Sequence, residues 1–69
     1  MNYWLINVSG SNGYSFLVKC NAEDDYEAIK MAERANLFED EEDAMYAVAE
    51  EATKRDIEHF KANGLINEI

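Results

Sequence analysis

Residues 3–20, YWLINVSGSNGYSFLVKC, decide how this chain folds, because strand-type alternation, aromatic bulk and a turn signal coincide there and nowhere else. In the first arm Trp4, Ile6 and Val8 share one face, while Tyr3, Leu5, Asn7 and Ser9 share the other. In the second arm Tyr14, Phe16, Val18 and Cys20 alternate with Ser15, Leu17 and Lys19. Gly10, Ser11, Asn12 and Gly13 join the arms, and the pattern predicts an antiparallel β-hairpin. A two-residue turn at Asn12-Gly13 would set Val8 opposite Leu17 and Ile6 opposite Lys19, splitting the apolar set between two faces. A three-residue loop keeps that set together. With Ser11 and Asn12 in a type I turn and Gly13 as the left-handed bulge residue, Val8 faces Phe16, Ile6 faces Val18 and Trp4 faces Cys20. Tyr3, Leu5 and Leu17 then share the opposite face, where a later segment or a second molecule must cover them.

After Asn21 the acids Glu23, Asp24, Asp25 and Glu27 stand where a helix N-terminus prefers negative charge. Tyr26, Ala28, Ile29, Ala32 and Ala35 recur at three- and four-residue spacing, a narrow, Ala-rich stripe that lets a helix lie close to the sheet. Tyr26 and Ile29 are expected to meet Trp4, Ile6 and Phe16. Asn36 is the expected left-handed stop, with Leu37 and Phe38 tucked under the domain edge.

From Glu41 to Ala62 the stripe Tyr46, Ala49, Thr53, Ile57, Phe60 and Gly64 favours one long helix, since Ala and Glu are poor strand formers. The rival reading makes residues 45–52 a third strand, with Thr53-Lys54-Arg55-Asp56 as a capping box that starts a fresh helix. Asn63-Gly64 predicts a Schellman ending in which Leu65 folds back on Phe60. The apolar tail Leu65, Ile66 and Ile69 suits either an added strand beside the hairpin or a docking segment. The expected fold class is α+β, an N-terminal antiparallel β-hairpin packed against two or three α-helices, with a short extra strand in the C-terminal half as the alternative.

With 69 residues the chain is read as one domain, 1–69, the hairpin occupying 1–20 and an acidic, mainly helical part 21–69. The lone Cys20 has no disulfide partner within the chain, and no Cys/His cluster offers a structural metal, so packing has to hold the fold. That usage fits a reducing compartment, and a cytoplasmic protein is expected. The start MNYWLINVSGS has no basic region followed by a long apolar run, so no leader is expected, and no stretch has the length and apolarity of a membrane span.

Charge is the most unusual feature. Six Lys and Arg stand against fifteen Asp and Glu, a net −9. Residues 1–20 hold one charged side chain, Lys19, so the remainder carries all fifteen acids against five bases. Contact with nucleic-acid phosphate or an anionic membrane is disfavoured, and attraction to a basic surface is favoured. The densest part is the run Glu39, Asp40, Glu41, Glu42 and Asp43, with no base between Arg34 and Lys54.

Catalytic and metal motifs are not evident. Cys20 and His59 are the only copies of their kinds, and the expectation is a small apolar side chain at a strand end and a helix-surface histidine. A calcium loop starting at Asp40 would have Ala44 and Met45 at its fifth and sixth positions, where an oxygen ligand and a glycine belong. Gly10 and Gly13 sit in a hairpin turn with no helix N-terminus behind them, so they do not form a phosphate loop. No cofactor, metal or enzymatic activity is expected.

Carboxylates three and four apart on a helix stand ~5–6 Å from one another, comparable to phosphate spacing along a nucleic-acid strand. Glu23 with Glu27, and Glu39 with Glu42 and Asp43, are such sets. In size and charge the chain resembles the small acidic proteins of phage and mobile elements that imitate nucleic acid and inhibit restriction and CRISPR enzymes. That resemblance implies a binding module directed at a protein partner with a basic surface, contacted through Glu39–Asp43. The alternatives are an acidic face that serves solubility alone, and a self-associating homodimer built on Tyr3, Leu5 and Leu17.

Overall fold

Strand β1 (Asn2–Val8) lies inside a four-stranded sheet, between β2 (Tyr14–Cys20) and β3 (Ala47–Glu51), in the computed structural model, which describes residues 2–10 and 13–69. A short β4 (Ile66–Glu68) completes the order β3-β1-β2-β4. Both neighbours of β1 run antiparallel to it, and β4 runs parallel to β2. Helix α1 (Asp25–Arg34), a 3-10 segment Glu41–Tyr46 and helix α2 (Lys54–Ala62) fill the connections. The architecture is α+β, built on the N-terminal hairpin, and the tail forms the added strand.

The hairpin register differs from expectation by two residues. Trp4 pairs with Val18, Ile6 with Phe16 and Val8 with Tyr14. A shift of two leaves every side chain on its face, so the apolar set Trp4, Ile6, Val8 and Val18 stays buried together. Core burial fixes the parity of the pairing and leaves the loop to set the count. The left-handed glycine is Gly10, at φ 142°, and not Gly13. The turn expected at Ser11 and Asn12 lies outside the described residues.

Helix α1 starts as its acids predict: Asp24 Oδ1 accepts from the Glu27 amide at 2.8 Å. It ends at Asn36, φ 57°, with the Asn36 and Leu37 amides donating to the Glu33 and Ala32 carbonyls. Ala28 and Ala32 are fully buried, in one cluster with Ala49, Trp4 and Ile6, and Ile29, Leu37 and Phe38 pack around them. Tyr26 is a correction. It is 67% exposed, with the Lys30 ammonium 5.6 Å from its ring centre, because α1 lies chiefly over β3 and presents its alanines inward.

The single long helix expected from Glu41 to Ala62 is also corrected. Residues 41–46 form the 3-10 segment, 47–51 are strand, and α2 begins only after Thr53. Local propensity lost to an unpaired strand. Without β3, one edge of β1 would leave its backbone donors and acceptors unmet beside a closed core. The pairing is marked at its ends by Ser9 N donating to Tyr46 O and Ala52 N donating to Tyr3 O. It sets Ala47 and Ala49 opposite Val8 and Ile6 on the α1 face, where only small side chains leave room for the helix.

The capping box forms as predicted: Thr53 Oγ1 accepts from the Asp56 amide at 3.1 Å while the Thr53 amide donates to Asp56 Oδ2 at 3.0 Å. At the other end Gly64, φ 65°, donates to Lys61 O and Leu65 donates to Phe60 O, the Schellman pair. The Leu65 side chain is exposed, so backbone bonds hold this ending.

Handedness explains which face of the sheet each helix takes. Strands β2, β3 and β4 share a direction, so α1 joins parallel strands toward one edge and α2 joins parallel strands back toward the other. Right-handed crossovers in opposite directions put their helices on opposite faces. Ala28 and Ala32 place α1 beside Trp4 and Ile6, which leaves the face of Tyr3, Leu5 and Leu17 as the side that handedness assigns to α2. Tyr3 and Ile57 accordingly line one crevice, and Leu17 is fully buried. The apolar side chains that needed cover obtain it from their own chain, Leu17 completely, Tyr3 and Leu5 in part.

Candidate functional site

The five acids 39–43 lie on the return from α1 to β3, at the end of the sheet where the hairpin turns. Glu39, Asp40, Glu41 and Glu42 are exposed and Asp43 is half-buried. The first link is backbone: Asp43 N donates to Asp40 O at 3.1 Å, turning the run into a 3-10 coil. That bond brings Asp40 and Asp43 together, one 3-10 turn apart. The carboxylates thus cluster without the long helix that the sequence suggests.

The second link is Tyr14, the last paired residue of β2 beside the hairpin turn. Its hydroxyl donates to Asp43 Oδ2 at 2.6 Å and accepts from the Glu39 amide at 2.9 Å, so one side chain holds both ends of the run. Burial, and then the bond to Asp43, push the Tyr14 phenol above its ordinary range. The ring stacks on Phe16 at 6.2 Å, and Phe16 in turn meets Phe38 edge to face at 5.2 Å. A chain of three aromatics therefore runs from the acidic turn into the core.

Two crevices flank the run, and Asp40 stands on the ridge between them. One, of about 350 Å³, has Tyr14, Tyr46, Glu39 and Asp43 in its walls. The other, of about 440 Å³, is lined by Phe38 and Met45 with Glu33, Glu41 and Glu42 around them. Sequence reading singled out none of Tyr14, Phe38, Met45 and Tyr46 for a site. Tyr14 and Phe38 carry core-type patterning, and the spacing gives no sign that they converge with the acids.

The remaining candidates fall elsewhere. Cys20 is enclosed in the core on the α1 side, whereas His59 stands on the exposed surface of α2 against the Phe60 ring. Glu23 and Glu27 are exposed at the start of α1. Among the described residues no group of three or more His, Cys, Asp or Glu is arranged to hold a metal ion. No helix is long and apolar enough to cross a membrane. Comparison with family models, curated proteins and solved structures gives no significant match to this chain.

Proposed function

We propose that this chain is a small acidic binding module that docks on the basic surface of a protein partner, inhibiting or regulating it, with Glu39, Asp40, Glu41, Glu42 and Asp43 as the anionic contact. The observation that carries the reading is the double tether of Tyr14 to Asp43 and Glu39. Acids serving only solubility need no fixed geometry, whereas docking gains from charges held in place before the partner arrives. Seven acids and no base lie between Arg34 and Lys54, so the field at this end is uncompensated along that stretch. A basic groove that normally holds nucleic acid is the matching surface. The reading includes a cytoplasmic setting, where Cys20 stays reduced.

The test is a pull-down of basic proteins from the native cell at low salt and again near 1 M, where screening shortens the Debye length from ~10 to ~3 Å. A specific partner is retained at low salt and lost at high salt, and a triple variant E39Q/E41Q/E42Q releases it at both. Undiminished capture by that variant would refute the reading.

A second reading, self-association, draws on Val48, 64% exposed on the face away from α1 and near half-buried Leu5. Light scattering over a wide concentration range decides it. A monomer throughout removes the homodimer.

A further inference from the structure

The crevice between the end of α1 and the 3-10 segment has a composition that acid content alone does not explain. Its lining includes two apolar side chains: Phe38, which meets Phe16 edge to face, and Met45, which is 80% exposed and so holds an apolar side chain in water. The same lining is acidic, with Glu33 on α1 and Asp40, Glu41 and Glu42 on the returning chain. Glu33 and Asn36 bring the carbonyl end of α1, the negative pole of the helix, into the same lining. Apolar side chains set among carboxylates complement a side chain with an apolar stem and a cationic head.

We propose that this crevice is the specificity pocket of the module and that its occupant is an arginine side chain projecting from the basic surface of the partner. The inference rests on the docking function argued above and narrows it to one contact. Arginine fits better than lysine for three physical reasons. Its guanidinium is planar and stacks on an aromatic ring, it is the more weakly hydrated cation, and its fork of donors can meet two carboxylates at once. Lysine can lay its stem on the same side chains, but it meets the carboxylates as a point charge and has no planar group to stack on Phe38. The neighbouring crevice lacks this character, because its Tyr14 hydroxyl is already engaged on both sides.

The probes are capped hexa-arginine and hexa-lysine peptides, titrated into the full chain at low salt while the methionine methyl signals are followed by NMR. The chain has three methionines, and Met31, packed against the core, serves as internal control. Hexa-arginine is expected to shift the Met45 methyl and to bind about fivefold more tightly than hexa-lysine, and M45S removes that preference while keeping the fold. The pocket is overturned if the two peptides bind equally, if the Met45 methyl stays in place, or if M45S binds hexa-arginine as tightly as the unsubstituted chain. In those outcomes salt-sensitive binding abolished by E39Q/E41Q/E42Q still upholds the docking function. If neither peptide binds, the pocket falls, and the docking function is judged separately by the pull-down with E39Q/E41Q/E42Q.

Discussion

The hydroxyl of Tyr14 donates to Asp43 Oδ2 at 2.6 Å across 29 residues of chain, joining the hairpin to the acidic turn through a bond to an ionised acceptor. Bonds of this kind contribute more than neutral ones, but this one is only part-buried. Tyr14→Phe is expected to cost about 1 kcal/mol and to release the Glu39 amide to fast hydrogen exchange. Urea unfolding followed by the emission of Trp4, the sole and buried tryptophan, measures the first, and exchange NMR the second. Unchanged protection at Glu39 would show that Tyr14 does not hold the run.

The same residue sets an alkaline limit. Its phenol is raised above the ordinary value of 10.0 by burial and by the Asp43 bond, so the folded state holds this proton more tightly than the unfolded state. Its contribution is whole below about pH 10 and is lost as the pH climbs through the folded-state value. Titration of tyrosinate absorbance should show a late-ionising component that Tyr14→Phe removes. An alkaline limb of the absorbance curve left in place by Tyr14→Phe contradicts the tether.

At the opposite end of the pH scale Asp56 acts in reverse. The Thr53 amide, and then the Thr53 hydroxyl, hold its carboxyl below the ordinary 3.8. The stability it adds is present above that value and lost as the pH falls through the folded-state value. Thr53→Ala breaks the capping box and should cost about 1 kcal/mol, read in urea titration curves at neutral pH. Asp56→Asn should flatten the acid limb of the stability profile, and an unaltered limb would place the acid sensitivity elsewhere.

Two left-handed positions end the two helices, and they should respond oppositely to substitution. Gly64→Ala meets no atom within 4 Å, so its expected cost of about 1 kcal/mol is backbone strain at φ 65° alone. Asn36→Gly, at φ 57°, relieves a milder strain and should leave stability level or raise it by a few tenths of a kcal/mol. Thermal midpoints moving in the same direction for both would show that these caps do not control the helix ends.

The outer sheet face divides sharply. Leu17→Ala removes a fully buried side chain and should cost about 3 kcal/mol, a large part of what so small a domain possesses. Val48→Ser lies on the same face beyond the cover of α2 and should stay within about 0.5 kcal/mol. Comparable losses at both sites would mean that α2 does not lie where right-handed crossovers place it.

What the amino-acid order determined by itself is local. Alternation over residues 3–20 dictates two strands and their buried face, because a one-residue slip would expose Trp4 and Ile6. Asp24, Asn36, Thr53 with Asp56, and Gly64 set the helix limits, since each satisfies backbone groups within a few residues of itself. The hairpin register within its parity, the strand at 47–51, the burial of Leu17 and the meeting of Tyr14 with Asp43 were decided only by tertiary structure. Each is a pairing between segments distant along the chain. The AVAEE segment becomes strand because β1 has an edge to fill, and the five acids become a fixed surface because a tyrosine from the hairpin reaches them.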